Sequence, residues 1–253
     1  MTMTMTAPPA AEPVSLRGRV VLVTGGSRGL GAAIASTLGS AGARLVLADI
    51  AGERVQEFAG ALAQRGVEAT ALTVDVSDAS QCEQAIGGTV ERYGRLDALI
   101  NNAAIDITAP VGELSVVDWE RIVATNLSAP FMLSKGAAAV MARQGDGHIV
   151  NITSTAAKRA WPNASAYHAT KWGLLGLSHA LHAELRPQGI KVTAVVAGGM
   201  RTAFLTERFP DIDTGLLQDP MHVARVVSFV LQQPAETCVA EVTVLPMRET
   251  SWP

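Results

Sequence analysis

From Arg17 onward, short apolar runs rich in β-branched residues alternate with longer amphipathic segments, and this alternation constrains the fold more than any other feature of the chain. Apolar runs at 20–23, 44–48, 67–74, 96–100, 147–152, 191–196 and 239–245 read as strands buried on both faces, the pattern of a parallel sheet. Helical segments are expected at 32–40, 53–65, 115–143 and 223–232, with another ending near Leu185. Ser77 is the expected cap of a further helix that reaches Tyr93, with Asp78 in its first turn. Strands alternating with helices require right-handed crossovers, so the expected fold is α/β: a doubly wound parallel sheet with helices on both faces. No break in composition marks a second domain.

Residues 1–15 alternate Met and Thr and then turn rich in Ala and Pro, which reads as a disordered leader without the basic start and apolar centre of a signal peptide. The remainder, 16–253, is expected to be one domain. The net charge of −3 with scattered basic residues argues against nucleic acid as a partner, and no apolar run is long enough to span a bilayer. Cys82 and Cys238 are far apart and outside any ligand spacing, so no metal site or disulfide is expected and both read as buried small hydrophobes. These features make a cytoplasmic enzyme the default expectation.

The first strand runs into Thr24-Gly25-Gly26-Ser27-Arg28-Gly29-Leu30-Gly31 and then a helix. Glycines there let the backbone approach a pyrophosphate, which rests on the helix N-terminus. The spacing, Gly25-x-x-x-Gly29-x-Gly31, differs from the common G-x-G-x-x-G fingerprint. Asp49, ending the second strand, is placed to accept from adenosine ribose hydroxyls and to repel a 2′-phosphate, which favours NAD. Arg28 offers the opposite preference, because a guanidinium in the turn can pair with that phosphate, so NADP is the alternative. Asp75 and Val76 are candidates for the adenine edge. Asn101 is a candidate for holding backbone near the cofactor, and Ala103 leaves it room.

Near the fifth strand's end stand Ser154 and, on the following helix, Tyr167 and Lys171. The last two are one helical turn apart and share a face. A phenol, an ammonium and a hydroxyl together suit proton transfer at an alcohol or carbonyl oxygen. An unperturbed tyrosine titrates near 10, so full basicity at neutral pH needs a shift of about 3 units, and a neighbouring ammonium acts in that direction.

Taken together, Thr24-Gly-x-x-x-Gly-x-Gly31, Asp75, Asn101-Asn102-Ala103, Asn126, Ser154 and Tyr167-x-x-x-Lys171 resemble the classical short-chain dehydrogenase/reductases over nearly all of 16–245. The resemblance implies a single Rossmann-like domain with a seven-stranded parallel sheet, in a homo-oligomer of two or four chains. It implies that Tyr167 is the general acid/base, that Lys171 holds the nicotinamide ribose and lowers the phenol pKa, that Ser154 bonds the reacting oxygen, and that Asn126 positions a water relaying protons to Lys171. The cofactor contacts it implies are Gly25, Ser27, Arg28, Gly29, Leu30, Gly31, Asp49, Asp75, Val76, Asn102, Ala103, Tyr167, Lys171 and Thr202. Two departures stand out. Ala197-Gly198-Gly199 replaces the family's Pro-Gly after the sixth strand, and the tail 245–253, with Trp252, replaces an Asp-Gly-Gly turn.

Ligands of such sheets bind beyond the carboxyl ends of the strands. That places a substrate among Ala156, Trp161, Met200, Phe204 and Leu205, with Ile105, Asp106 and His168 as further candidates. Residues 200–218 are the expected lid, its apolar underside formed with Phe209, Leu216 and Leu217. The sequence thus leads to an NAD(H)-dependent oxidoreductase of a secondary alcohol/ketone pair, a small-molecule substrate. The alternatives are an NADPH-dependent 3-oxoacyl-type ketoreductase and a catalytically silent nucleotide-binding sensor or scaffold.

Overall fold

A computed structural model describes residues 13–248. Their order is β1 (Val20–Thr24), α1 (Gly29–Ser40), β2 (Arg44–Asp49), α2 (Gly52–Gln64), β3 (Ala69–Thr73), α3 (Ala79–Tyr93), β4 (Ala98–Asn101), α4 (Val116–Val123), a π-helical turn (Ala124–Ser128), α5 (Ala129–Gln144), β5 (Gly147–Ser154), α6 (Ser165–Leu185), β6 (Ile190–Ala197), α7 (Ala203–Thr206), α8 (Pro220–Leu231) and β7 (Glu241–Val244). Most of the expected leader and Trp252 lie outside the described residues. No helix among those described is long and apolar enough to cross a membrane.

The strands form one seven-stranded sheet, ordered β3-β2-β1-β4-β5-β6-β7, with every pairing parallel. The alternation of strand side chains builds two cores. Val21 and Val23 of β1 join Ile34 and Leu38 of α1, Val55 of α2 and Val227 of α8 on one face. Leu22 joins Ile86 of α3 and Leu133 and Met141 of α5 on the other. Both faces of the sheet are covered, which is why β1 and β2 read as near-continuous apolar runs. The edge strand β3 has one neighbour and is only partly buried, and it is shorter than the apolar run 67–74. The other edge, β7, is likewise shorter than 239–245.

Two expectations are corrected. The cap of α3 is Asp78, whose carboxylate accepts from the Ser80 and Gln81 amides at 2.8 and 3.3 Å, while Ser77 turns back to donate to Asp75. Cys238 is only partly buried, its thiol 3.8 Å from the His182 ring, whereas Cys82 is fully buried and its pKa is pushed up to about 11, chiefly by burial.

The strand order reverses between β1 and β4. A crevice opens there at the carboxyl ends, as open α/β sheets require, and every candidate residue stands on or near it.

Candidate active site

The turn from β1 into α1 is dictated by close backbone approach. Gly25 and Gly29 have φ of 61° and 55°, in the left-handed region. A Cβ at Gly31 would sit 2.0 Å from the Gly25 carbonyl oxygen, so no larger residue fits. Asn102 locks the turn from β4, its amide donating to the carbonyls of Thr24 and Gly25 at 2.9 and 3.1 Å. Asn101 was the residue expected to hold backbone here. Its side chain instead points into the core, donating to Asn151 at 2.8 Å and Ser134 at 3.1 Å. Arg28 precedes α1 and makes no side-chain cap, so the helix's first N–H groups are left for an anion. A dinucleotide pyrophosphate fits this cradle.

Asp49 sits at the end of β2, nearly buried. Oδ2 accepts from the Ser27 amide and hydroxyl at 3.1 and 2.6 Å, and Oδ1 from the Ala51 amide at 3.1 Å. Oδ1, which accepts one bond, retains acceptor capacity for a ribose hydroxyl, whereas Oδ2 already accepts two. Arg28 reaches toward α7 instead and pairs with Glu207 at 3.3 Å, both side chains being largely exposed.

A cavity of about 760 Å³ runs from this turn to Tyr167. Gly25, Arg28, Gly29, Leu30 and Asp49 line its first part, followed by Asp75, Val76, Asn102 and Ala103. Ser154, Tyr167, Lys171 and Thr202 line the far part with Trp161, Met200, Phe204 and Leu205. Four expected site residues stand behind the wall. Ser27 supports Asp49, and Gly31 packs beneath Gly25. Ala156, expected in the substrate pocket, is fully buried against Ala164 and Tyr167. Asn126 stands in the π turn. Its Oδ1 accepts from the Ile105 amide at 2.9 Å, and its Nδ2 donates to the Ile105 carbonyl at 2.8 Å and to Thr170 of α6 at 3.2 Å.

The strand β5 delivers Ser154, and α6 delivers Tyr167 and Lys171. The Ser154 hydroxyl accepts from the Ala156 amide at 3.2 Å and is a hydrogen-bond partner of the phenol. Lys171 donates to the Ile152 carbonyl at 2.9 Å, with Nζ 5.5 Å from the Tyr167 ring centre. The expectation of a lysine-lowered phenol is reversed in the chain alone. Burial pushes the Tyr167 pKa up to about 12 against the opposing hydrogen bond from Ser154, and burial brings Lys171 down to about 8. Desolvation outweighs the lowering by Ser154 and by the Arg208 charge.

His168 serves the wall. Its Nε2 accepts from the Trp161 amide at 3.1 Å, which places the ring proton on Nδ1, 2.9 Å from the Ala156 carbonyl oxygen. The two rings meet edge to face, 4.3 Å between centres. The sequence reading missed Arg208. It forms an ion pair with Asp106, stacks 4.0 Å over Phe204 and donates to the Phe204 carbonyl at 2.7 Å. Its spacing of four from Phe204 was the available signal, but its partner lies 102 positions away.

The short chain dehydrogenase family model matches residues 19–213. The chain belongs to that family. It is 38% identical over 181 residues to D-threitol dehydrogenase of Mycolicibacterium smegmatis, covering 71% of this chain and 69% of that protein. It is 32% identical over 229 residues to the 2,5-dichloro-2,5-cyclohexadiene-1,4-diol dehydrogenase LinX of Sphingobium indicum, covering 87% and 92%. A metagenomic short-chain oxidoreductase, solved in complex with NADP, superposes with a TM-score of 0.82 at 33% identity, covering 92% of this chain and 99% of the other. This short-chain dehydrogenase is therefore an oxidoreductase with a Rossmann-like fold of a family that binds NAD(P).

Proposed function

We propose that this protein is an NAD(H)-preferring dehydrogenase that interconverts a secondary alcohol and its ketone, with residues 16–253 acting as one domain and 200–218 closing over the substrate. The observation that carries the reading is that Ser154, Tyr167 and Lys171 face the same cavity as the glycine turn and Asp49. The two relatives named above, dehydrogenases of D-threitol and of a cyclohexadiene-diol, support an alcohol as the reduced substrate.

When bound, the nicotinamide supplies a hydride acceptor or donor. The chain's own residues handle the proton. Ser154 donates to the reacting oxygen and fixes its position. Tyr167 takes the hydroxyl proton in oxidation and returns it in reduction. Lys171 stands beside the phenol and would hold the nicotinamide ribose, and Asn126 holds the segment after β4 against α6. Gly25, Gly29 and the start of α1 would hold the pyrophosphate, Asp49 the adenosine ribose, Asp75 and Val76 the adenine, and Thr202 the carboxamide end.

A second reading, NADPH-dependent ketone reduction, has its own support: Arg28 lines the cavity beside Asp49, and the structural relative above binds NADP. Parallel calorimetric titration with NADH and NADPH separates the two. NADH should bind more tightly, and Asp49→Ala should narrow the difference. Tighter NADPH binding transfers the selection to Arg28, and binding of neither refutes the dehydrogenase reading.

A further inference from the structure

Asp106 follows β4 and lines the cavity that Ser154 and Tyr167 also line, yet its side chain is only 5% exposed. Arg208 donates to its Oδ2, burial raises the carboxyl pKa against Arg208 and the Ile107 amide, and Oδ1 is buried without a hydrogen-bond partner. A buried carboxylate oxygen without a donor is costly, and such atoms are rare enough to need a reason. Asn101 Oδ1 is also unpartnered, but it lies inside the sheet core and off the cavity wall. The carboxylate is held in place relative to the phenol through Arg208. The guanidinium stacks on Phe204, and the Phe204 ring lies 5.9 Å from the Tyr167 ring. The charge of Asp106 reaches both Tyr167 and Lys171.

We propose that this site selects an alcohol bearing a second hydroxyl, a diol or polyol, and that Asp106 Oδ1 accepts the hydrogen bond of that second hydroxyl while the first reacts at Ser154 and Tyr167. The proposal rests on the dehydrogenase reading above. Arg208 already pairs with the carboxylate, so the missing donor is a neutral hydroxyl and not a second cation. Trp161, Leu205 and Ile212 on the same cavity give the hydrocarbon between the two hydroxyls an apolar surface. A mono-alcohol of the same skeleton would enter but leave Oδ1 bare, and sites built to bond a hydroxyl discriminate against such analogues.

The test compares kcat/KM for cyclohexanol with the 1,2-, 1,3- and 1,4-cyclohexanediols, and for 2-butanol with 2,3-butanediol, using NAD+ and NADP+. At least one diol should exceed its mono-alcohol by about 10- to 100-fold, the range of a hydrogen bond to a charged group. In the double variant Asp106→Leu/Arg208→Met that ratio should fall close to one, and in Asp106→Asn it should fall several-fold. NADH titration verifies that each variant is folded. A wild-type ratio near one, or a ratio preserved in the variants, overturns the diol assignment and leaves the dehydrogenase reading standing. Preference for trans-2-aminocyclohexanol over the diol also overturns it. Failure of the wild type to oxidise any of these alcohols with either cofactor refutes both.

Discussion

At the scale of single residues, burial dominates the chemistry of the site. Tyr167 is held as a neutral phenol, with its pKa about 12, and Lys171 titrates near 8. Alcohol oxidation needs the phenolate and ketone reduction the phenol. Oxidation kcat/KM should therefore rise between about pH 7 and 10, and a flat profile would remove Tyr167 from the base role. Tyr167→Phe should lower kcat by at least about 100-fold while NADH affinity stays within a few-fold, since the ring is kept and only the hydroxyl is lost. Turnover surviving in that variant would assign the proton to another group. The tyrosine and lysine were legible as a pair sharing one helix face, and the serine only through the resemblance of the whole motif set. The direction of the Tyr167 shift was not, because it depends on how completely α6, β5 and Phe204 exclude water.

Elements show the same division. The run 115–143 predicted a helix disturbed at Pro130. The disturbance is a π turn, Ala124–Ser128, just ahead of that proline. Pro130 has no N–H to give to the Asn126 carbonyl, which in an α-helix would be its partner. The wider turn carries the Asn126 side chain to Ile105 and Thr170, a placement typical of π-bulges at functional sites. In the sheet, β5 and β6 are cross-linked by His148, whose ring nitrogen lies 2.8 Å from the Thr193 hydroxyl. Burial lowers the His148 pKa to about 3, with the Lys191 charge acting in the same direction. The unfolded chain takes up this proton below about pH 6.5, but the folded chain refuses it until about pH 3. The contribution is thus fully present above pH 6.5 and is lost as pH falls through that window, with an upper bound of about 5 kcal/mol. Denaturant unfolding of His148→Gln should show a shallower loss of stability between pH 6 and 4 than the wild type. Parallel curves would mean other groups control acid unfolding.

For the whole molecule, the outer surface of α4, α5 and α6 exposes Val116, Val117, Trp119, Phe131 and Trp172, with Phe131 50% and Trp172 51% exposed. Exposed apolar side chains of this size suit an association surface, as the expectation of a homo-oligomer of two or four chains requires. Light scattering at micromolar concentration should give a dimer or tetramer, and Phe131→Glu together with Trp172→Glu should shift the mass toward the monomer. A monomeric wild type would overturn this expectation. Phe131 and Trp172 do not line the carboxyl-end cavity, so NADH binding should persist in the variant.

The sequence by itself determined the parallel α/β sheet, the glycine cradle, the acidic end of β2 and the Tyr167–Lys171 pair. All of these rest on local periodicity or on spacings within a turn or two of helix, which neighbouring residues fix. Tertiary structure alone decided that Asn102 and not Asn101 braces the cradle, that Asp78 caps α3, that Ala156 stands behind the pocket, and that Arg208 meets Asp106. The Asn102 and Arg208 placements join segments remote in sequence, and no local pattern records which way a loop, such as the one carrying Ala156, turns its side chains. The α3 cap was a choice between adjacent candidates, settled when Asp75 drew Ser77 away. Burial, which sets the protonation of Tyr167 and Lys171, is likewise a property of the assembled fold.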